Sequence, residues 1–227
     1  MATTFRAAVS GALVVHAGAQ STADTVALAE HAAEIGAHAV AVIPPPYFAL
    51  DADALTAHFV AAARACAPLP FYCYAFTARS GYPLPVAVIR RIAETVDNLA
   101  GLKVSESPFE AVAPYLELGL PVLIGMEPLI ANGLAHGAIG TVSGMAAAFP
   151  DVVRAALDAG DDAAMDRLRT LRDAMEPHGL SAAAKHVLGM RGVPVSPGMR
   201  APLRPLTASE GSALEGAVSG YLVPTRA

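Results

Sequence analysis

Lys103 is the residue of this chain whose type and surroundings most directly suggest chemistry. It lies within NLAGLKVSES, residues 98–107, where Leu102 and Val104 predict a short buried strand. Of the 15 basic residues all but Lys103 and Lys185 are arginines. Arginine stays protonated in proteins, whereas a desolvated lysine can lose its proton and attack a carbonyl carbon to form a Schiff base. The pattern favours an amine nucleophile; the alternative is a lysine that extends from a strand end to water.

Other polar side chains follow predicted strands at their carboxyl ends. Tyr74 ends the third strand, and a phenol near an amine can relay protons in Schiff-base chemistry. Arg79, in the loop that follows, has the donor geometry to hold a substrate carboxylate. Glu127 follows the fifth strand, and Val142 and Ser143 end the sixth. Because the carboxyl ends of parallel strands meet at one face, we expect these residues near the lysine.

Each of these residues also has an ordinary structural interpretation. Tyr74 alone can be a half-buried packing residue, and Arg79 can form a loop salt bridge or a helix cap. Glu127 can be a carboxylate at a helix N-terminus. Gly137 and Gly140 lack the spacing of a phosphate-binding loop. Composition and spacing alone therefore indicate an α/β enzyme with one candidate nucleophile.

Apolar runs and turn residues predict six strand–helix units that position these side chains. The predicted strands are 12–16, 38–43, 70–74, a segment around Lys103, 121–124 and 138–142. Short connections favour parallel strands with right-handed crossovers. The candidate helix N-caps include Ser21 or Thr22, Asp51 or Asp53, Asp161 or Asp162, Ser181 and Thr207. After Gly160 the pattern is helical only, so we divide the chain into a barrel portion, residues 1–160, and a C-terminal helical extension, residues 161–227.

Composition argues against several classes of function. With 54% hydrophobic and 15% charged residues, the 227-residue chain can bury one large core. Its net charge of −5 and the lack of a Lys/Arg block argue against nucleic acid and membranes as partners. Cys66 and Cys73 lack metal-ligand spacing and fit the reducing cytoplasm. Residues 6–19 weakly resemble a signal peptide, but polar residues interrupt the apolar run. No apolar stretch reaches the roughly 18 residues that a transmembrane helix needs. We therefore expect a cytoplasmic protein.

Longer segments around these residues resemble the dihydrodipicolinate synthase and N-acetylneuraminate lyase family of class I aldolases. YAFTARSG, residues 74–81, resembles the family's Tyr-Asn-x-Pro-x-Arg-Thr-Gly segment, and GLKVSES, residues 101–107, its Gly-Ile-Lys-x-Ser/Ala strand. Similar segments occur in the family's order at PPPYF, AHF, GAIGTVSG and KHVLGMRGVPVSPGMRAPLRPL. The resemblance implies a TIM (β/α)8-type barrel with a C-terminal helical extension. It also implies a homo-oligomer, usually a tetramer, that needs no metal and no cofactor.

The resemblance also implies roles for individual residues. Lys103 resembles the lysine that forms a Schiff base with pyruvate or another 2-oxo acid, and Tyr74 resembles the tyrosine that carries protons beside it. The positions that match substrate contacts are Arg79 at the entrance, Val142 and Ser143 against the bound oxo acid, and Glu127 at the substrate tail.

Two departures from the family pattern bear on activity. Phe48 replaces the second tyrosine of dihydrodipicolinate synthases, and Ala75 replaces an asparagine, which favours a lyase or aldolase over dihydrodipicolinate synthesis. The family's first two strands, with the Gly-Thr-Thr-Gly-Glu loop that holds the pyruvate carboxylate, have no counterpart in this sequence. We therefore expect a barrel truncated at its N-terminus to about six βα units, open between the 12–16 and 138–142 strands.

Two functional hypotheses follow. The first is an enzyme that cleaves or condenses a 2-oxo acid through an imine on Lys103, with Tyr74 as proton carrier. The second is a nearly inactive or non-catalytic assembly subunit that keeps the lysine but lacks the carboxylate site. A borohydride-reducible adduct with pyruvate distinguishes the first hypothesis from the second.

Overall fold

Six parallel strands form the sheet of the first compact unit, Met1–Thr141. The computed structural model describes residues 1–222. The strands are β1 (Val14–His16), β2 (Ala39–Val42), β3 (Phe71–Ala75), β4 (Leu99–Val104), β5 (Val122–Ile124) and β6 (Gly140–Thr141). They pair in chain order and every pair is parallel, as the alternation of strands and helices predicts.

Helices alternate with the strands and then follow one another. The helices of the first unit are α1 (Ala2–Ala8), α2 (Thr22–Glu34), α3 (Ala52–Ala65), α4 (Thr77–Ser80), α5 (Val86–Ala93), α6 (Phe109–Leu116) and α7 (Ile130–Ala135). The second unit begins at Val142 and contains α8 (Pro150–Ala159), α9 (Asp162–Met175), α10 (Leu180–Met190) and α11 (Ala208–Val218). The predicted domain boundary at residue 160 stays a prediction. No helix within residues 1–222 combines the length and the apolar character needed to cross a bilayer.

Most of the helix starts are those that the sequence predicts. The predicted N-caps that accept a backbone N–H in the structure are Ser21, Asp51, Asp161 and Thr207. The prediction for Ser181 is wrong, because Ser181 lies inside α10 and Gly179 occupies the N-cap position. Gly179 has a φ of 71°, which glycine adopts without strain, and it joins the preceding 3-10 turn directly to the helix.

Side-chain alternation along the strands separates a helix-facing layer from the opposite face of the sheet. Leu102 and Val104 of β4 are fully buried. On β3, Phe71 meets Phe59 of α3 edge-on, with ring centroids 6.3 Å apart, so this layer contacts the helices. Successive residues of a strand point to opposite faces of the sheet. Lys103 lies between Leu102 and Val104, so its side chain points to the face opposite the helices.

The sheet of the described residues is open. Within residues 1–222, β1 pairs only with β2 and β6 only with β5, so the predicted lack of pairing between the first and last strands is confirmed. Val14 of β1 and Ile139, just before β6, expose apolar side chains at these two edges. Edge strands with unpaired backbone groups are sites where another chain can add. The expected tendency to aggregate or to pair with another subunit stays a prediction.

Asn98 connects the end of α3 to the start of β4. Its side-chain amide donates hydrogen bonds of 2.9 Å to the carbonyl oxygens of Ala63 and Leu69. Its own backbone carbonyl accepts from the N–H of Phe71 at 2.8 Å. One half-buried side chain therefore holds the strand of Lys103 against two earlier segments of the chain.

We expect Asn98→Ala to lower the free energy of unfolding by about 2 kcal/mol, because the hydrogen bonds to the carbonyl oxygens of Ala63 and Leu69 are lost. Urea denaturation followed by circular dichroism measures the change. Asp97→Ala, at the exposed neighbouring position, is the control and should change stability by less than about 0.5 kcal/mol. Equal stability of the two variants would contradict the role of the amide.

Candidate functional site

Strands β3 and β4 bring Lys103 and Tyr74 together. The two residues are direct partners in the sheet register, and Lys103 Nζ lies 4.1 Å from the centroid of the Tyr74 ring. The lysine is half-buried. Among the ion pairs of residues 1–222, none involves Lys103. An amine with no carboxylate bound to it is available to a carbonyl compound.

Gly125, directly after β5, makes room for the groups around this amine. A Cβ at this position would overlap Ser105 Oγ and lie 3.1 Å from Lys103 Cε. Ser105 is buried just after β4, and its hydroxyl lies 3.4 Å from the phenol oxygen of Tyr74, a long hydrogen bond. A residue without a side chain at position 125 therefore lets the amine, the hydroxyl and the phenol lie together.

A buried carboxylate next to this cluster holds the loop that carries Arg79. Glu106 Oε1 accepts hydrogen bonds from the backbone N–H of Thr77 at 2.9 Å and from its hydroxyl at 3.0 Å. Arg79 lies in the same short helix, α4, where it is exposed and its guanidinium lies 5.6 Å from the centroid of the Phe76 ring. The loop of Arg79 is thus tied to the segment that follows Lys103. The sequence analysis does not identify Glu106.

His16, at the end of β1, is a second residue that the sequence analysis does not identify. Its ring meets the Tyr74 ring edge-on, with centroids 6.0 Å apart. A Cβ at Gly18 would lie only 2.8 Å from the imidazole, so the glycine makes room for it. The ring is exposed on one side, but the surrounding protein removes much of its water. This desolvation lowers the pKa of His16, and the charge of Lys103 lowers it further, which favours the neutral imidazole at pH 7.

The remaining predicted substrate contacts lie in two different units. Glu127 is buried, and it begins the 3-10 helix Glu127–Leu129 just after β5, at the carboxyl end of the same sheet as Lys103. Val142 and Ser143 are the first residues of the second unit. Their contact with a bound oxo acid stays a prediction.

The cysteines are not alternative nucleophiles. Cys66 and Cys73 are buried free thiols, and burial raises the pKa of both, which disfavours the reactive thiolate. Within residues 1–222 no three His, Cys, Asp or Glu side chains are grouped as ligands for a metal ion. The expectation that the chemistry needs neither metal nor cofactor rests on the family resemblance and stays a prediction.

Comparison with known proteins establishes the family. The model of the dihydrodipicolinate synthetase family matches residues 2–220. The chain belongs to this family. It is 36% identical over 214 residues to an uncharacterized DapA-like lyase of Halobacterium salinarum, covering 89% of this chain and 69% of the relative. It is 30% identical over 216 residues to a 4-hydroxy-tetrahydrodipicolinate synthase of Chelativorans sp. strain BNC1, covering 91% and 73%.

Solved structures of the dihydrodipicolinate synthetase family have the same fold. The N-acetylneuraminate lyase of Proteus mirabilis superposes with a TM-score of 0.83 at 26% identity, covering 93% of this chain and 76% of that one. The predicted class, a parallel TIM-barrel-like α/β fold, is therefore confirmed for the six described strands. The N-terminal truncation and the C-terminal helical extension stay predictions.

We expect Gly125→Ala to lower the free energy of unfolding by about 1–3 kcal/mol, since the added Cβ overlaps Ser105 Oγ. Ser105→Ala in the same chain should recover part of the loss, so the effects of the two substitutions should not add. Gly189→Ala is the control, because no atom beyond the local backbone of its own helix and its two chain neighbours lies within 4 Å of the new Cβ, and alanine favours a helix. Urea denaturation measures Gly125→Ala, Ser105→Ala, the double variant and Gly189→Ala, and additive effects at positions 105 and 125 would contradict the close approach.

We expect Lys103→Met to raise the pKa of His16, because the substitution removes a positive charge that disfavours the imidazolium. The pKa should stay below 6.5, since the desolvation of the ring remains. NMR titration of the imidazole C–H signals measures the change. Lys185→Met, in the second unit, is the matched control and should leave the signal of His16 unchanged. An unaltered titration in Lys103→Met would show that the two residues do not interact.

Proposed function

We propose that this protein is a class I lyase or aldolase that acts on a 2-oxo acid through a Schiff base on Lys103. The neutral amine attacks the carbonyl carbon, C2, and water leaves. The protonated imine then takes up the electron pair of the C3–C4 bond, which breaks to give an enamine on Lys103 and a carbonyl product. The observation that supports this most directly is the contact of the Lys103 amine with the ring of Tyr74, on the sheet face opposite the helix layer. Membership of a family whose relatives are named lyases and synthases supports the reaction class.

Tyr74 is the proposed proton carrier. Its ring lies beneath the amine, and its phenol oxygen is within hydrogen-bonding reach of Ser105. From this position the phenol can supply the proton that leaves with water and accept the proton that is released when the carbon–carbon bond breaks. Phe48 has no hydroxyl to take part in such a relay, which favours a lyase or aldolase over a dihydrodipicolinate synthase.

The proposed substrate contacts are Arg79, Glu127, Val142 and Ser143. The guanidinium suits a carboxylate, and a buried carboxylate such as Glu127 suits the hydroxyl groups of a substrate tail. We propose neither a metal nor a cofactor, because the covalent imine itself activates the substrate.

A homo-oligomer is part of the proposal. Tyr47 and Phe48, in the loop after β2, expose 84% and 73% of their surfaces. Their rings contact each other edge-on, with centroids 4.7 Å apart. An exposed pair of aromatic side chains is a common component of protein–protein interfaces, so these residues support association with a second copy of the chain.

We expect treatment with pyruvate and borohydride to add one reduced pyruvyl group to Lys103. Intact-mass measurement and peptide mapping detect and locate the adduct. Lys103→Arg should abolish it, because arginine keeps a charged side chain but supplies no neutral amine. Lys185→Arg replaces the other lysine and should leave the adduct at its full level.

The same experiment tests the alternative hypothesis of a non-catalytic assembly subunit. No adduct at millimolar pyruvate, with the protein shown to be folded by circular dichroism, would favour that subunit over the enzyme. An adduct that remains in Lys103→Arg would reject Lys103 as the nucleophile.

A further inference from the structure

We propose that His16 is a specificity-determining residue of this site, whose imidazole holds a hydroxyl group of a hydroxylated 2-oxo acid. This inference rests on the proposed Schiff-base function. The residues that the family resemblance assigns to the site do not include His16, and the inference is drawn from its position next to Tyr74.

His16 and Lys103 lie against the same phenol ring. The centroid of the imidazole is 6.0 Å from that of Tyr74, and Lys103 Nζ is 4.1 Å from the Tyr74 centroid. The imidazole centre is therefore at most about 10 Å from the reactive nitrogen. A substrate of several carbon atoms attached to Lys103 spans any separation up to this limit.

The position of the imidazole is fixed by the backbone around it. A Cβ at Gly18 would lie 2.8 Å from Cε1 and 3.0 Å from Nε2 of the ring, and 3.0 Å from Ile43 Cγ2. The ring thus lies between the glycine backbone and the edge of Tyr74, although it is open to solvent on its free side. Such packing restricts the rotation of the imidazole, so its orientation towards a ligand is better defined than that of a freely rotating surface histidine.

The chemistry of the ring indicates which group it holds. Within residues 1–222 no side chain or backbone group forms a hydrogen bond with the imidazole, and the charge that acts on it is that of Lys103. A neutral imidazole offers one donor and one acceptor, which matches a hydroxyl group. A hydroxyl can use both the donor and the acceptor of the ring, whereas a carboxylate can use only the donor. The expected substrate group is therefore a hydroxyl.

The test compares two 2-oxo acids of equal chain length. One is 3-deoxy-2-oxohexonate, with hydroxyl groups beyond C3, and the other is 2-oxohexanoate, without them. The half-saturating concentration of each acid is measured from the borohydride-dependent loss of the free Lys103 amine by intact mass. The ratio of the two values reports recognition of the hydroxyl groups.

We expect the folded protein to prefer the hydroxylated acid and His16→Phe to lose about fivefold or more of this preference, the size of one hydrogen bond. His16→Asn, which retains a donor and an acceptor, should recover part of it. Gly18→Ala displaces the ring without changing it and should reduce the preference as His16→Phe does. His31→Phe, at an exposed position on α2, is the matched control and should keep the preference unchanged.

The outcomes separate this inference from the function on which it rests. The inference is overturned if the ratio of the two half-saturating concentrations is the same in the unmodified protein and in His16→Phe. Because both acids are still trapped, the Schiff-base function would stand. An equal loss for both acids in His16→Phe also overturns it, because His16 would then act only through structure. If the unmodified protein traps neither acid nor pyruvate, the proposed function fails and the inference fails with it.

Discussion

The alternation of side chains along β4 is the constraint on which the site depends. Leu102 and Val104 are fully buried, and each contributes about 1.5–3 kcal/mol by leaving water. A shift of the strand by one residue would expose both and bury the ammonium among helices. The packing of two aliphatic residues therefore determines which face of the sheet receives Lys103, although neither of them takes part in the chemistry.

Within residues 1–222 no carboxylate forms an ion pair with the Lys103 amine. Lys103 contacts the face of an aromatic ring, and the nearby Glu106 is occupied by two donors from Thr77. Desolvation and the charge of Lys103 both lower the pKa of His16, which favours its neutral form. An amine in a tight salt bridge would be stabilised as the ammonium, so the placement of these groups matters as much as the lysine.

Local signals in the sequence predict the six strand–helix units, their parallel arrangement and the proximity of Tyr74 to Lys103, whereas the order of the strands in a barrel is implied by the family resemblance. Tyr74 lies near the end of β3 and Lys103 near the end of β4. The carboxyl ends of parallel strands lie at the same edge of the sheet, so the two side chains are expected to be close. The prediction of Ser181 as an N-cap is wrong because serine also occurs in the first turn of a helix. The N-cap of α10 is Gly179, two residues earlier. Glu106 and Asn98 could not be identified, since their partners are 29 and 35 residues away and only the folded chain brings them together.

The hydrogen bonds from Thr77 to Glu106 have a consequence for ligand binding. They join the start of α4 to the segment after β4, so the loop with Arg79 is tethered to the segment that follows Lys103. A loop that was free in the absence of ligand would lose conformational entropy on closing over it, and this loss would weaken binding. With the tether already formed, a carboxylate near Arg79 would meet a guanidinium on an ordered backbone, and little affinity would be spent on ordering the loop.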